Sequence, residues 1–134
     1  MSVYAFLLAG LALMGWNFLG SAGPENRVEV TEPILSSTAR SGKVAFEANC
    51  VSCHGPSGSG SDNGPPLIHN IYNPGHHADM SFVMAMKRGV RPHHWKFGSM
   101  PPQPQVNDQS IVNIINYIRE VQVANGIVYQ PHKM

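Results

Sequence analysis

The sequence predicts an all-α fold, and three features carry that expectation. Ile111, Ile114, Ile115, Ile118 and Val121 recur at helical spacing and form one apolar face near the C-terminus. Two shorter helical patterns precede it, each bounded by a cap signal on one side and a glycine on the other. Both cysteines of the 134-residue chain lie in Cys50-Val51-Ser52-Cys53-His54, a spacing that places the two thiols one helical turn apart.

Taken in order, the chain begins with VYAFLLAGLALMGWNFL (residues 3–19), which carries no charged side chain and helps hold the charged content of the whole chain to 13%. As a helix this run would be about 25 Å long, close to the thickness of bilayer hydrocarbon once its flanks are added. Trp16 suits an interfacial anchor. A cleaved secretory signal is the rival reading, because Gly20-Ser21-Ala22 resembles a small-residue cleavage site. No Lys or Arg precedes the apolar run, so an uncleaved transmembrane anchor over residues 1–22 is expected, in contact with lipid or partner helices.

Residues 23–40 form the next unit, an expected extended tether. The stretch GSAGPENRVEVTEPILSS (residues 20–37) that makes up most of it has two prolines, no helical apolar period and the acids Glu25, Glu29 and Glu32. Val28, Val30, Ile34 and Leu35 could equally lie along the surface of a partner.

The main domain is expected over residues 41–126. Thr38 or Ser41 is the expected N-cap of its first helix, which leads through Gly42 and Phe46 into the cysteines. Gly42 and Phe46 stand four apart, and a small residue beside a ring lets another helix cross closely. Gly55, Pro56, Gly58 and Gly60 then impose a loop.

The C-x-x-C-H pattern is that of covalent c-type haem attachment, with the histidine as proximal iron ligand. A thioredoxin-like redox pair would need a βαβ context, and a structural zinc site two further ligands at matched spacing. A proximal imidazole needs an acceptor on its other ring nitrogen. In Gly64-Pro65-Pro66-Leu67 the Pro65 carbonyl is the candidate, with a plain rigid turn as the alternative.

A short helix follows at residues 79–88, with Asp79 as expected N-cap and Gly89 as stop. Its thioethers Met80, Met84 and Met86 are expected to pack rather than ligate. Residues 90–105 read as a loop in which Met100 precedes Pro101 and Pro102. A stiff backbone leaves a weak thioether ligand little entropy to lose on coordination. Trp95 needs a partner for its indole N–H, and a haem propionate would serve. In the last helix, Asn107 is the expected N-cap, Val106 and Ile111 the flanking staple, and Gly126 the stop. Tyr117 beside its apolar face is expected to meet Gly42 and Phe46. The tail, residues 127–134, carries no clear signal.

With Cys50-Val51-Ser52-Cys53-His54, Gly64-Pro65-Pro66-Leu67 and Met100-Pro101-Pro102 in one chain, the sequence resembles the class I monohaem cytochromes c. More closely it is similar to small bacterial ones with an N-terminal membrane anchor. The resemblance implies three main helices around one covalent haem c. It implies Cys50 and Cys53 as thioether attachment points, His54 and Met100 as axial metal ligands, Pro65 as acceptor from His54, and Leu67 and Trp95 as haem contacts.

The function so implied is one-electron transfer without catalysis, either as a membrane-anchored carrier or as a fixed subunit of a respiratory or photosynthetic complex. A haem sensor or peroxidase with a vacant or labile sixth position is the alternative. His69, His76, His77, His93, His94 and His132 are further imidazoles that compete in principle for iron. Expected partners are redox proteins: a quinol-oxidising complex and a terminal oxidase or reaction centre. Membrane lipid is a further contact, and no nucleic acid is expected. Haem attachment outside the cytoplasm puts the domain on the periplasmic side of a bacterial inner membrane. Lys87, Arg88, Arg91 and Lys96 gather positive charge ahead of Met100. They read either as a docking rim for acidic partners or as a solvated face that offsets the propionates.

Overall fold

The computed structural model describes residues 26–131. Over that span the chain forms α1 (Ser37–Asn49), α2 (Val51–His54), α3 (Asp79–Arg88) and α4 (Asp108–Ala124), with single 3-10 turns at Pro56–Gly58 and Asn70–Tyr72. The all-α expectation holds for these residues. Among them no helix is long and apolar enough to cross a membrane. The apolar run at residues 3–19 and His132 lie outside the described residues.

The core is built where α1 crosses α4. Seven β-branched residues make α4 an indifferent helix former, each costing up to ~0.7 kcal/mol relative to alanine. Five of them, Ile111, Ile114, Ile115, Ile118 and Val121, are buried, and each such burial is worth about 1.5–3 kcal/mol. Packing therefore decides the matter over propensity.

Both ends of α4 follow the sequence signals. Asn107 accepts from the Ser110 amide at 2.8 Å, and Val106 and Ile111 are both buried beside it. At the other end Gly126, at φ 77°, donates to Val123 while Ile127 donates to Gln122, a Schellman stop.

At the crossing itself a Cβ on Gly42 would lie 1.9 Å from the Asn113 carbonyl oxygen, so only glycine permits this approach. Phe46 and Tyr117, both fully buried, meet there with ring centroids 5.6 Å apart. The contact expected between Gly42, Phe46 and Tyr117 is present.

Three local expectations need correction. The first helix is capped by Ser36, whose hydroxyl accepts from the Ala39 amide, and so it starts at Ser37 instead of at Thr38 or Ser41. Ser36 is held there because its amide and hydroxyl both donate to Glu120 on α4. Asp79 is the first residue of α3 and not its cap; the cap position is Ala78, and the Asp79 carboxylate pairs with Arg119 instead.

The third correction concerns the segment before α1. The part of the expected tether from residue 28 on is laid on the domain. Val28 and Val30 pack against the core, Leu35 is buried, and Thr31 exchanges hydrogen bonds with Asn125. Of the apolar residues that were candidates for a partner's surface, Ile34 remains fully exposed.

Glu32 explains why this segment stays down. Its carboxylate accepts from Lys43, from Ser57 at 2.7 Å and from Tyr117 at 3.0 Å, tying the segment to α1, the 3-10 turn and α4. The C-terminal tail is also engaged: Ile127 joins the core, and the Gln130 amide donates to Asn73.

Candidate functional site

Between the helices lies a cavity of about 610 Å³, a size typical of cofactor sites. Each part of the chain contributes a wall. Phe46 comes from α1, Cys50 and His54 from the α2 segment, Leu67 from the loop after it, Phe82, Met84 and Met86 from α3, Trp95 and Met100 from the long loop, and Ile114 and Ile118 from α4. The lining is mostly apolar.

His54 ends α2, and its Nδ1 lies 2.9 Å from the Pro65 carbonyl oxygen. Donation of Nδ1–H to that carbonyl leaves the Nε2 lone pair as the free ligand atom. Burial lowers the imidazole pKa, and the bond to Pro65 opposes this only in part, so the ring is neutral at neutral pH. Pro65 and Leu67 stand on the wall beside it. Their loop is drawn in by Leu67 and Ile68, whose amides both donate to the Gly58 carbonyl.

Burial, with a smaller contribution from Cys53, pushes the Cys50 thiol up to about 11, which keeps it a thiol at neutral pH. Cys50 lines the cavity, whereas Cys53 is exposed; neither is in a disulfide.

Met100 reaches the cavity from a closed loop. Its amide and carbonyl pair with those of Val90, at 2.9 Å each, in an isolated antiparallel bridge. Gly89 makes the return possible. It sits at φ 75°, and a Cβ there would approach the Met100 carbonyl oxygen to 2.5 Å. Of the three helical methionines, Met86 is buried and Met84 also lines the cavity, while Met80 points to solvent at 64% exposure.

Trp95 lines the cavity, but its indole N–H donates to the Tyr72 hydroxyl at 3.0 Å. A protein group thus takes the donor that the sequence assigned to a propionate, because the turn at Asn70–Tyr72 brings Tyr72 to the same wall.

Sequence reasoning missed the polar frame behind this wall. Gln122 is fully buried on the apolar face of α4 and donates to the Leu67 carbonyl at 2.9 Å. It accepts from Arg119, which also donates to the Tyr72 and His77 carbonyls and to Asp79. The Arg119 guanidinium lies 4.8 Å from the Phe82 ring centre. A glutamine inside an otherwise apolar stripe was a readable signal, since a buried amide must find partners. Arg119, one residue off the stripe, offered none.

The histidines are distributed unevenly. His69 packs edge-on against Trp95, while His76, His77, His93 and His94 gather at one part of the cavity lining. Burial first, then neighbouring positive groups, hold the pKa values of His77 and His94 below the ordinary imidazole value.

An apolar cavity that carries Cys50, His54 and Met100 on its walls fits a covalently held porphyrin. The family model for cytochrome c matches residues 39–122, more than half of the chain. The chain belongs to the cytochrome c family. No individual curated protein gives a significant match. Membership makes this a haem-based electron-transfer protein, with covalent haem c as its cofactor and Cys50 and Cys53 in the matching attachment motif. The match to this cytochrome starts within α1 and ends within α4, so it spans the crossing helices and every wall of the cavity.

Proposed function

We propose that this cytochrome is a membrane-anchored one-electron carrier whose haem iron is held by His54 and Met100. The observation that carries the proposal is that His54 and Met100, two residues able to ligate iron, line one cavity on braced positions. His54 is oriented by Pro65 and Met100 is pinned by Val90, each through hydrogen bonds at 2.9 Å. Cys50 and Cys53 would hold the porphyrin by thioether links, and Leu67, Phe82 and Ile114 would pack on it. Bound there, the haem supplies an iron that gains or loses one electron.

The protein's own part is to hold both ligands still and keep water out. An imidazole whose Nδ1–H is given to the Pro65 carbonyl would keep its ring orientation and present Nε2 to the iron. A thioether on a bridged backbone with two prolines behind it has little freedom to leave. Carbon monoxide added to the ferrous protein at neutral pH tests the closed sixth position. Slow, incomplete binding is expected. Rapid and full binding would point instead to a sensor or peroxidase.

Partners follow from charge. Lys87 pairs with Asp108 at 2.8 Å, but Arg88, Arg91 and Lys96 have no ion pair among the described residues. This supports a docking rim for acidic redox proteins such as a quinol-oxidising complex, a terminal oxidase or a reaction centre.

The apolar residues 3–19 support attachment to a bacterial inner membrane with the haem domain on the periplasmic side. Ala9, Gly10, Ala12 and Gly15 would allow close packing on a neighbouring helix in a larger complex. Solubilisation in mild detergent distinguishes the two arrangements: a carrier migrates alone, a subunit with its complex.

A further inference from the structure

We infer that His76, His77 and His94 form a binding site for one divalent transition-metal ion, separate from the haem iron. One ring nitrogen from each can be chosen so that all three lie within 4.8 Å of one another. Nε2 of His76 and Nε2 of His94 are 3.4 Å apart. Two nitrogens on a tetrahedral zinc at about 2.0–2.1 Å stand ~3.3–3.4 Å from each other, so this pair already has the separation of two ligands on one ion. The third nitrogen, within 4.8 Å of both, needs to close by at most about 1.5 Å, within reach of a side-chain rotation.

The supports of these rings are those of a ligand set. Nδ1 of His77 is 2.7 Å from the Ile71 carbonyl oxygen, and donation of Nδ1–H there leaves Nε2 as the ligand atom. The backbone beneath is held tightly: the amides of Gly75, His76 and His77 all donate to Asn73, a buried residue, and the His77 carbonyl accepts from Arg119. His94 comes from the loop closed by the Val90–Met100 bridge. The neighbouring His93 is not one of the three residues whose ligand atoms converge, although its ring lies 4.2 Å from that of His94.

Three imidazoles and no carboxylate or thiolate make a nitrogen donor set of intermediate softness. Such a set suits Zn²⁺, Cu²⁺ or Ni²⁺ and disfavours Mg²⁺ and Ca²⁺, with Cu²⁺ expected to bind most tightly. Three protein ligands leave the fourth position to water or a small anion. Covalent attachment of the haem uses none of these residues, and so the inference stands apart from which group closes the sixth position on the iron.

The test uses the full-length haem-loaded protein and Zn²⁺ alone, titrated calorimetrically with the visible spectrum recorded alongside. One Zn²⁺ per chain is expected, with the haem spectrum unchanged. His94→Ala and His76→Ala should each weaken binding by about tenfold or more, whereas His93→Ala, outside the converging set, should leave it within about twofold of the parent. A parallel titration with Cu²⁺ should show nitrogen hyperfine coupling in its paramagnetic resonance spectrum, lost in His94→Ala. Equal affinity in parent and His94→Ala would overturn the site. So would a change of the iron's axial ligand in His94→Ala before metal is added, read from gain or loss of the sulfur-to-iron band, because the imidazole would then be serving the iron.

Discussion

Val90 and Met100 are ten residues apart yet exchange both of their backbone hydrogen bonds, Val90 N–H to Met100 O and Met100 N–H to Val90 O, at 2.9 Å each. The loop between them is therefore a closed ring, and its one turn out of α3 depends on Gly89. An L-residue at φ 75° costs about 1–3 kcal/mol, and its Cβ would also press on the Met100 carbonyl. Gly89→Ala is expected to lower stability by that amount and to weaken the sulfur-to-iron absorption of the ferric protein. Thermal unfolding and a near-infrared scan of the same variant check both effects.

The crossing of α1 and α4 should be less forgiving. A methyl at position 42 would have to displace the Asn113 carbonyl from 1.9 Å, and backbone cannot rotate away as a side chain can. Gly42→Ala should cost about 3 kcal/mol, the upper end of what overpacking usually costs. A denaturation midpoint within error of the parent would show that the two helices do not approach this closely.

Glu32 predicts a specific pH dependence. Burial acts to raise its pKa, but hydrogen bonds from Lys43, Ser57 and Tyr117 together outweigh burial and hold it below the ordinary carboxyl value. A depressed folded-state pKa contributes stability above the unfolded value and loses it as pH falls through the folded one. Glu32→Gln should therefore be destabilised by ~1–2 kcal/mol at neutral pH, with the difference from the parent closing at acid pH as Glu32 becomes protonated in the folded state. Paired thermal melts at the two pH values measure this.

What the sequence revealed and what it hid divide by whether a residue's own type or local pattern announces its role. The caps of α4, the glycine approach at position 42 and the Phe46–Tyr117 meeting were legible because each is written in local spacing or in a single unusual residue. The Pro65 carbonyl was found by asking which acceptor a ligating imidazole would need. Glu32 was not legible, since its partners Ser57 and Tyr117 stand 25 and 85 positions away. The same holds for Ser36, which won the cap from Thr38 and Ser41 only because Glu120 reaches it across the fold. Trp95 was correctly seen to need an acceptor, but Tyr72 became a neighbour only through the intervening turn.

Arg88, Arg91 and Lys96 lead to a kinetic prediction. If acidic proteins dock on this face, the second-order rate of electron transfer to such a protein should fall steeply as salt rises from about 10 to 200 mM, where the screening length shrinks from ~30 Å to under 10 Å. Charge-removing substitutions at all three positions should flatten the profile while leaving the haem spectrum unchanged. A parent profile that is already flat would rule out steering by this face.

The identity of the sixth ligand is the most direct test of the electron carrier proposed here. A near-infrared scan of the ferric full-length protein at neutral pH should show the band that arises from sulfur donation to ferric iron, and Met100→Ala should abolish it while covalent haem attachment through Cys50 and Cys53 persists. A parent protein that lacks the band, or a Met100→Ala variant that keeps it, would contradict ligation by Met100.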